Sequence, residues 1–595
     1  MSQAPRRPLR VGTFSGYLGD RPTALSELMA GDPVDVAFGD YLAEVTLAAL
    51  AARRARDPER AFVEQAVEQL RPHLVALAER GTKVVTNAGG FSPAGMAAAL
   101  REAAAAAGAD LRVAHVSGDD VLPHLADHAA AGHLLEHLET GEPLSSWSVP
   151  PLAANAYLGG WGIAAALAAG ADVVVCGRVA DASLLVGAAA WWHGWAVDDW
   201  DALAGAVVAG HVLECGPQAV GGNFSGFTSL PDVLVPGFPV GEVAADGSCV
   251  VTKHVRDGGA VTVDTVTAQL VYEVQGPVYL NPDVTVDLST VRLSQEAPDR
   301  VLVHGATGCP PPATTKVAVF GVLGWQAVGS VFLTAPDVAA KAALVSAQVS
   351  RDLPDGVELS FTQVGTAAED AASQWEATVA LRVLATAPER EDLARLDLAG
   401  RLGSLYLQSV PGFFHDLAAG LSFPARPRIA YWPALLDQAC VTHVAVLDDG
   451  EVLPAPLPPR GPVVAQPLHP EPLDPPSGAG TWGDTVRVPL GTVAHARSGD
   501  KGGNSNVGVW VADPDAWPWL RATLTTAALR ALLPDTADLE VVRHELPHLR
   551  AVHFVLKGLL DEGGSSNRRL DQVGKAVGEH LRSRHVDVPV ALVRS

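Results

Sequence analysis

Side chains that could do chemistry gather directly after five short apolar runs of this chain. The runs cover residues 9–14, 34–38, 83–86, 112–116 and 173–176, and each ends at a cluster of Gly, Asp, Ser, Asn or Arg. If the runs are parallel strands, their carboxyl ends share one edge of one sheet, where α/β folds bind small molecules. The sequence therefore predicts an active site at that edge.

The acidic residues of these clusters are the first candidates for acid–base chemistry. They are Asp40, Glu44, Asp119 and Asp120. Carboxylates that converge at one sheet edge either bind a divalent cation such as Mg²⁺ or raise one another's pKa, which provides a general acid or base. Taken singly, each is more readily explained as a helix cap or a solvated surface group. The sequence leaves the presence of a metal open.

Glycine-rich loops at the same edge are candidates for anion binding. The residues concerned are Ser15, Gly16 and Asp20 after the first run, and Asn87, Gly89 and Gly90 after the third. Backbone amides next to glycine can approach an anion, and an asparagine can stabilise an oxyanion that develops during a reaction. Both loops are equally compatible with tight strand-to-helix turns, and Asn87 with a helix cap.

Basic side chains and one more flexible loop complete the candidates of the first part of the chain. Arg178 follows the fifth run, where a guanidinium can clamp a carboxylate or simply pair with Asp181. His211 and Glu214 have the spacing of a helix-face pair, which could bind a metal or transfer a proton but is common without a function. The remaining anion-binding candidates are Gly221, Gly222, Asn223, Lys253 and Lys316. For the lysines, a plain surface position is the default.

The densest motif lies near the end of the chain, at residues 495–506, which read HARSGDKGGNSN. A plain hairpin loop needs only a few turn residues, so this excess of polar groups indicates either a function or a docking surface. Its candidates for holding a ligand or moving a proton are His495, Arg497, Asp500, Lys501 and Asn504.

The pattern of elements predicts an α/β fold with several parts. Strands and helices alternate over residues 9–215, which indicates a parallel, doubly wound, Rossmann-like sheet. A β-rich or α+β continuation over 216–450 and a Pro-rich linker over 451–483 follow. The order β-β-α-β-β-α over 484–595 predicts a small ferredoxin-like α+β domain. Among the predicted elements are helices at 58–80 and 513–533, strands at 485–494 and 507–511, and a loop between these two strands.

Composition narrows the classes of partner and compartment. A formal net charge of −24 argues against nucleic acid and anionic membranes, which are bound through basic patches. Five widely spaced cysteines without a CxxC pair indicate reduced thiols in a cytoplasmic protein. The uncharged stretch 150–171 is broken by prolines and by Gly159-Gly160, so it does not predict a membrane span. No nucleotide-cofactor motif is present.

A series of motifs resembles the acyclic terpene utilisation (AtuA-like) family. The motifs include SGYLGDRP, FGDYLAE, TNAGGFSP, CGRVADAS and GHVLECGPQAVGGNFSGF within residues 9–450, and HARSGDKGGNSNVGV within 485–590. The resemblance implies degradation of branched carboxylic acids or their acyl-CoA thioesters, and it implies no particular catalytic residues.

The sequence therefore favours a cytoplasmic, homo-oligomeric enzyme that acts on a small carboxylic acid or acyl-CoA thioester. Hydratase or carbon–carbon lyase chemistry is expected, with a carboxylate as acid or base and an oxyanion site nearby. The alternative is a non-catalytic ligand-binding or scaffold subunit of a catabolic complex.

Overall fold

The computed structural model describes residues 7–467, 469, 471 and 482–593, which divide into two compact units. Unit 2 consists of Val149–Pro151 and Gly321–Ala430, and unit 1 contains the other described residues. All the candidate site residues named above belong to unit 1. None of the helices in the described ranges combines the length and the apolar character needed to cross a membrane.

The strands before the C-terminal domain are numbered in chain order. Strands β1 to β10 are Leu9–Ser15, Val36–Gly39, Lys83–Thr86, Val113–Ser117, Pro151–Ala156, Val173–Val175, Pro239–Val243, Cys249–Lys253, Val278–Leu280 and Thr285–Asp287. Strands β11 to β20 are Arg292–Ala297, Arg300–His304, Thr307–Cys309, Thr314–Thr334, Glu358–Val364, Thr378–Ala387, Phe413–Phe414, Arg426–Asp437, Val444–Val446 and Val452–Pro454.

The helices are numbered in the same way. Helices α1 to α9 are Ala24–Met29, Glu44–Arg54, Glu64–Leu70, Leu74–Arg80, Pro93–Ala107, Leu125–Ala130, Trp161–Ala168, Ser183–His193 and Trp200–Leu213. Helices α10 to α17 are Val263–Leu270, Val338–Val349, Arg390–Leu396, Leu398–Ser404, Trp517–Thr523, Thr526–Leu532, Val577–Ser583 and Val590–Val593.

The main sheet of unit 1 is mixed, with a parallel centre. In the described residues it has the order β11-β12-β8-β7-β1-β2-β3-β6-β4-β19-β20. The strands β1, β2, β3, β6 and β4 are parallel neighbours, so their carboxyl ends do share one edge, as the apolar runs predict. Antiparallel strands from later in the chain extend this sheet on both sides. The parallel sheet expected for residues 9–215 is therefore only the centre of a larger sheet.

Apolar side chains bury the parallel strands and the helices that follow them. Val173, Val174 and Val175 of β6 are almost fully buried, which fits a strand that reads as one continuous apolar run. Every residue of α9 from Leu203 to Leu213 is buried as well. A helix segment that is buried on all sides belongs in a core. The C-terminal end of α9 leads from this core to the site described below.

Prolines and capping residues divide two predicted helices. The helix expected over 58–80 is interrupted by a 3-10 turn at Arg71–His73, because Pro72 cannot donate the backbone hydrogen bond that a continuous helix needs. The helix expected over 513–533 is split into α14 and α15, and the Thr525 side chain caps the start of α15. Part of the predicted linker forms the edge strand β20, while its residues 468, 470 and 472–481 lie outside the described residues.

The C-terminal domain is a layer of helices on an antiparallel sheet. Its strands β21 to β26 are Thr485–Pro489, His495–Lys501, Asn504–Trp510, Val541–Leu546, Ala551–Leu556 and His585–Pro589. The sheet order is β22-β23-β25-β24. The polar motif 495–506 was expected to form a loop, but it forms the paired strands β22 and β23 with only a short turn between Lys501 and Asn504.

Unit 2 contains a separate antiparallel sheet. Residues Trp325–Thr334 of β14 pair with β16, and β15 lies on the other side of β16. One face of this sheet is apolar and includes Val331, Leu333 and Val383, which pack with residues of α11 to α13.

Candidate active site

The parallel strands place one fully buried arginine at the predicted edge. Arg178 comes shortly after β6, and its backbone amide donates a 2.8 Å hydrogen bond to Oδ2 of Asp119. The same carboxylate oxygen accepts a 2.8 Å hydrogen bond from Nδ2 of Asn155. Burial raises the pKa of Asp119 to about 6, although these two donors oppose the rise. In this structure Asp119 therefore holds the backbone at Arg178 and the side chain of Asn155.

The Arg178 guanidinium links three parts of the site. Its Nη1 donates hydrogen bonds of 2.7 Å to the Leu42 carbonyl and 2.5 Å to Oδ1 of Asp181. Its carbon Cζ lies 4.0 Å from the centre of the Tyr157 ring. Burial opposes the positive charge, but Asp181 and other neighbouring anions raise the pKa of Arg178 well above its ordinary value. Arg178 is thus a permanent cation in the protein interior.

Three carboxylates converge beside this arginine. Oxygen atoms of Asp40, Asp181 and Glu214 all lie within 4.8 Å of one another. Asp40 directly follows β2, Asp181 lies three residues after Arg178, and Glu214 directly follows α9. Burial, followed by repulsion from Asp181, raises the pKa of both Asp40 and Glu214 well above the ordinary range. Three carboxylate ligands at this separation could hold a hard divalent cation or share protons.

Neighbouring groups bind one oxygen atom of Asp40 and one of Glu214. Oδ1 of Asp40 accepts 2.6 Å and 3.1 Å hydrogen bonds from Nδ2 of Asn87 and the amide of Leu42. Oε1 of Glu214 lies 3.1 Å from Nδ1 of His211. Burial lowers the pKa of His211 to about 4, so its ring is neutral at pH 7.

A second group of charges surrounds Glu44, which begins α2. Oε1 of Glu44 accepts hydrogen bonds of 2.8 Å from the Tyr157 hydroxyl and 3.2 Å from Nζ of Lys316. Burial alone would raise the pKa of Glu44, but Lys316, Arg178 and Lys501 outweigh it and hold the pKa well below the ordinary value. Glu44 is therefore an anion that anchors Lys316 and Tyr157, and it is a weak base.

The C-terminal domain completes the site through its β22–β23 hairpin. Asn506 clamps the segment 271–273: its Nδ2 donates a 2.8 Å bond to the Val271 carbonyl, and its Oδ1 accepts a 3.0 Å bond from the Glu273 amide. The guanidinium of Arg497 lies 4.4 Å from the Tyr272 ring centre. The hairpin thus fixes the backbone that carries Glu273.

Glu273 combines three features of a functional carboxylate. Its backbone has a φ of 53°, which is strained for a residue with a side chain. Its Oε1 accepts a 3.0 Å hydrogen bond from Nζ of Lys575. Burial raises the pKa of Glu273 to about 7, and it lowers the pKa of Lys575 to about 8. Glu273 is therefore able to gain and lose a proton near neutral pH, whereas Lys575 is 40% exposed and burial affects it less.

The close approach of the hairpin gives a testable prediction at Gly499. A Cβ atom at this position would lie 2.4 Å from the Tyr272 ring and 2.9 Å from Cγ of Glu273. Gly499→Ala is therefore expected to push the hairpin away and to reduce the free energy of unfolding by about 1–3 kcal/mol, measured by urea denaturation.

The matched control for Gly499 is Gly491→Ala in the same domain. There a Cβ would meet only the flexible Arg582 side chain at 3.2 Å, so a change within about 0.5 kcal/mol is expected. Equal effects of the two substitutions would contradict the tight docking at Gly499.

Four of the charged side chains described above line one cavity of about 290 Å³. Its charged lining consists of Asp181, Glu273, Lys316 and Lys501. Apolar side chains make up much of the remaining wall, among them Leu138, Val274, Val278, Leu280 and Leu435. Tyr157 and Tyr279 line it as well. A mostly apolar cavity with a few convergent polar groups is the usual form of a small-molecule site.

Comparison with protein families identifies the chain. The family model described as "Acyclic terpene utilisation family protein AtuA" matches residues 9–447. The chain belongs to this family. The model of the AtuA ferredoxin-like domain matches residues 488–587, so the C-terminal domain is ferredoxin-like. Comparison with curated proteins and with solved structures gives no match.

In this AtuA-family chain, about half of the predicted charged candidates meet in the site. Asp40, Glu44 and Arg178 come from the sheet edge, and Lys501 comes from the hairpin. Asp500 is also near, because its Oδ1 lies 4.0 Å from Nζ of Lys575, and burial raises its pKa well above the ordinary value. Arg497 belongs to the docking surface, where it donates to the side chain of Gln218.

Other predicted residues are engaged elsewhere. Asp120 forms an ion pair with Arg54. Nζ of Lys253 donates a 2.7 Å hydrogen bond to the Asp257 carbonyl and lies 3.3 Å from Asp299, so Lys253 does not reach the site, whereas Lys316 and Lys501 do. These side chains form ion pairs and hydrogen bonds outside the site, and the sequence spacing did not predict those partners.

The predicted oxyanion site at Asn87, Gly89 and Gly90 is not what the structure shows. The Gly89 amide donates to the Cys176 carbonyl and the Gly90 amide to the Asn87 carbonyl. Asn87 supports Asp40, and its Oδ1 accepts from the Tyr41 amide at 2.8 Å. Glycine is needed at 89 because a Cβ there would lie 2.5 Å from the Cys176 oxygen. The loop at residues 87–90 therefore packs closely against neighbouring backbone and supports Asp40.

Polar groups of the remaining predicted loops also form hydrogen bonds within the loop or within their own domain. The Gly16 amide donates 2.6 Å to Oδ2 of Asp20, and the Ser15 hydroxyl donates to the Tyr17 carbonyl. In the second loop, the amides of Gly221 and Gly222 donate to the carbonyls of Gln218 and Pro217, and Asn223 is exposed. In the hairpin, Oδ1 of Asn504 accepts 2.9 Å from the Gly558 amide within its own domain.

Sequence reasoning missed or undervalued several members of the site. Tyr157, Glu273, Tyr279 and Lys575 were not candidates, although the first three lie in the segments AYLGGWGIAAAL and QLVYEVQGPVYLNPDV, which also resemble the family. Glu214 was considered only as half of a common two-residue pattern. Its position directly after the helix segment Leu203–Leu213, in which His211 is the one polar residue, was the available signal, because such a segment is typical of a buried helix.

Proposed function

We propose that this AtuA-family protein is a catabolic enzyme that acts on a branched carboxylic acid or its acyl-CoA thioester by hydratase or carbon–carbon lyase chemistry. One observation carries the proposal: Lys316, Lys501, Asp181 and Glu273 line a single cavity whose other walls are largely apolar. The family description, acyclic terpene utilisation, supports a branched, apolar substrate.

The apolar and the charged walls of the cavity would bind different parts of the substrate. Val274, Val278 and Leu280 would pack against a branched hydrocarbon chain. Lys316 and Lys501 would attract the carboxylate or thioester oxygen at the other end. A volume of about 290 Å³ suits an acyl group, so the nucleotide part of a CoA thioester would extend outside.

The proposed reaction needs an acid–base group and a place for negative charge on the substrate oxygen. In hydration, Glu273 removes a proton from water, the hydroxyl adds to the β-carbon, and an enolate oxygen forms beside the lysines. The α-carbon of the enolate then takes the proton from Glu273, which restores the carboxylate and completes the addition of water. A carboxyl whose pKa is about 7 is well matched to moving a proton in both directions at neutral pH.

A substrate panel tests the proposal directly. Purified full-length protein is incubated with branched enoyl-CoA and hydroxyacyl-CoA thioesters and with the free acids, with and without Mg²⁺, and products are analysed by mass spectrometry. Gain or loss of one water, or a cleaved product, is expected. Tight binding of these compounds without any turnover would favour a ligand-binding or scaffold subunit and contradict the enzymatic proposal.

The role of the lysines gives a second expected result. Lys316→Met keeps an apolar stem but removes the charge, so a saturated branched acid should bind roughly tenfold to a hundredfold more weakly, as expected for the loss of about 1.5–3 kcal/mol. Binding is measured by isothermal titration calorimetry. Lys557→Met, which removes an exposed lysine paired with Glu540, is the matched control and should bind as the unaltered protein does. Unchanged affinity in Lys316→Met would contradict this binding mode.

A further inference from the structure

We propose that Asp40, Asp181 and Glu214 form a binding site for one divalent metal ion of the oxygen-preferring class, Mg²⁺ or Mn²⁺. Their oxygen atoms lie within 4.8 Å of one another, and Asp40 and Glu214 are buried. The inference deepens the proposed function and rests on it for the chemical role of the metal. The binding itself can be tested without any substrate.

The clearest sign of a missing ligand is an oxygen of Glu214. Only 8% of this side chain is exposed, and its Oε2 is buried without a hydrogen-bond partner among the described residues. A buried carboxylate oxygen without a donor is costly, because it has lost its hydration and gained nothing in return. A metal ion in the cluster would supply the absent positive partner.

Hydrogen bonds to the three carboxylates leave one oxygen of each available. The described bonds reach Oδ1 of Asp40, Oδ1 of Asp181 and Oε1 of Glu214. The groups at these oxygens are Asn87, Arg178 and His211, and each restrains the orientation of its carboxylate. Orientation of metal ligands by such neighbouring groups is a regular feature of metal sites.

The chemistry of the ligands selects the class of metal. Three carboxylates without sulfur ligands favour hard cations such as Mg²⁺ and Mn²⁺ over zinc or copper. Arg178 is the one described Lys or Arg within ion-pair distance of the trio, and it occupies only Oδ1 of Asp181. A metal ion therefore does not have to displace a salt bridge at Asp40 or Glu214.

The site also lies where a metal would be useful. Asp181 belongs both to the trio and to the lining of the cavity. A metal held there could polarise a carboxylate or thioester oxygen of the bound substrate. Lys316 and Lys501 would then assist the metal in holding the anionic end.

The test uses Mn²⁺ as the probe and the full-length protein after treatment with a chelator. Binding is followed without substrate by calorimetry and by the electron paramagnetic resonance signal of free Mn²⁺. One saturable site per chain is expected, from which Mg²⁺ displaces Mn²⁺. Glu214→Gln and Asp40→Asn, which preserve side-chain size, should weaken binding at least about tenfold.

The matched control is Asp120→Asn, which removes a carboxylate from the same sheet edge but outside the trio. It should bind Mn²⁺ as the unaltered protein does. Thermal unfolding without metal shows that each variant is folded, and removal of one of three repelling carboxylates should not lower that stability. If one trio variant fails to fold, the other carries the test.

Two results would overturn the inference: no saturable Mn²⁺ binding by the unaltered protein, or unchanged binding by folded Glu214→Gln and Asp40→Asn. These results are separate from the failure of the proposed function. Turnover without metal binding would contradict the metal site and support the enzymatic function. Specific metal binding without turnover on the substrate panel would support the metal site and contradict the enzymatic function.

Discussion

Replacement of Arg178 by methionine is expected to lower the free energy of unfolding by about 3 kcal/mol or more, measured by urea denaturation at pH 7. The side chain is 2% exposed, and its removal leaves Oδ1 of Asp181 and the Leu42 carbonyl without their donors. Loss of one partner from a buried ion pair typically costs about 3–5 kcal/mol. The lower end applies here because Asp181 is 22% exposed and can recover some hydration.

Two further variants separate charge from packing at Arg178. Arg178→Lys keeps the charge but not the planar fork or the contact with the Tyr157 ring, so an intermediate loss is expected. Adding Asp181→Asn to Arg178→Met removes the anion left without a partner and should restore part of the stability. A control is Arg54→Met, which breaks the more exposed pair with Asp120 and should cost about 1 kcal/mol or less.

The outcome that would contradict this view of Arg178 is a loss below about 1 kcal/mol in Arg178→Met. Such a value is typical of an exposed ion pair. It would mean that the interior of the site is wetter and less constrained than the hydrogen bonds around Arg178 indicate.

The position of Arg178 was predictable from the sequence, and its partners were predictable only in part. A β-strand of valines followed by glycine and arginine places the arginine at the end of β6, because parallel strands carry their active groups at that edge. Its pairing with Asp181 follows from their spacing. The contacts with Leu42 and Tyr157 depend on how α2 and β5 pack, and no local pattern encodes that.

The carboxylate trio shows where such prediction stops. Asp40 was found because it ends a strand, as the edge argument requires. Glu214 comes from the end of α9, and its arrival beside Asp40 is a result of tertiary packing. Asp119 and Asp120 satisfied the same edge argument as Asp40, yet they serve Arg178 and Arg54. The sequence predicted the edge at which the candidate site lies, without showing which side chains face it.

The C-terminal motif was recognised as special, but its structure was misjudged. Glycine and asparagine usually signal a loop, whereas residues 495–501 and 504–510 form strands. The glycines are explained by contact instead: Gly499 faces Tyr272, and Gly508 faces Val271, where a Cβ would lie 2.4 Å from neighbouring atoms. Close approach between two parts of a fold and a tight turn require the same residue, so composition alone could not distinguish them.

Glu273→Gln is expected to lower kcat/KM by roughly 10²–10⁴ and to remove the pH dependence centred near pH 7. Burial raises the pKa of Glu273 to about 7, so the base form accumulates as the pH rises through that value. Glutamine keeps the size and can still accept a hydrogen bond from Lys575, but it cannot take a proton. The measurement is a pH–rate profile on a substrate found by the panel, with the exposed Glu540→Gln as control.

The same substitution has a consequence for stability that needs no substrate. The folded protein holds the Glu273 proton up to about pH 7, whereas the unfolded chain releases it near 4.5. The stability contributed by the neutral carboxyl is therefore complete below about pH 4.5 and is lost as the pH rises to about 7. Glutamine stays neutral at every pH. As the pH rises from about 4.5 to 7, the free energy of unfolding of Glu273→Gln should therefore become about 1–3 kcal/mol higher than that of the unaltered protein, and this difference should persist at higher pH.

The neighbours of Glu273 decide whether this gain is reached. Lys501, Arg497 and Lys575 favour the ionised form and reduce the gain, whereas Glu44 and Asp181 oppose ionisation and increase it. Urea denaturation of both proteins from pH 4.5 to 8.5 measures the difference directly. A difference in stability that does not change with pH would show that Glu273 is already ionised in mildly acidic solution. It would then be an anchor for Lys575, and the acid–base role would have to pass to another carboxylate of the cavity.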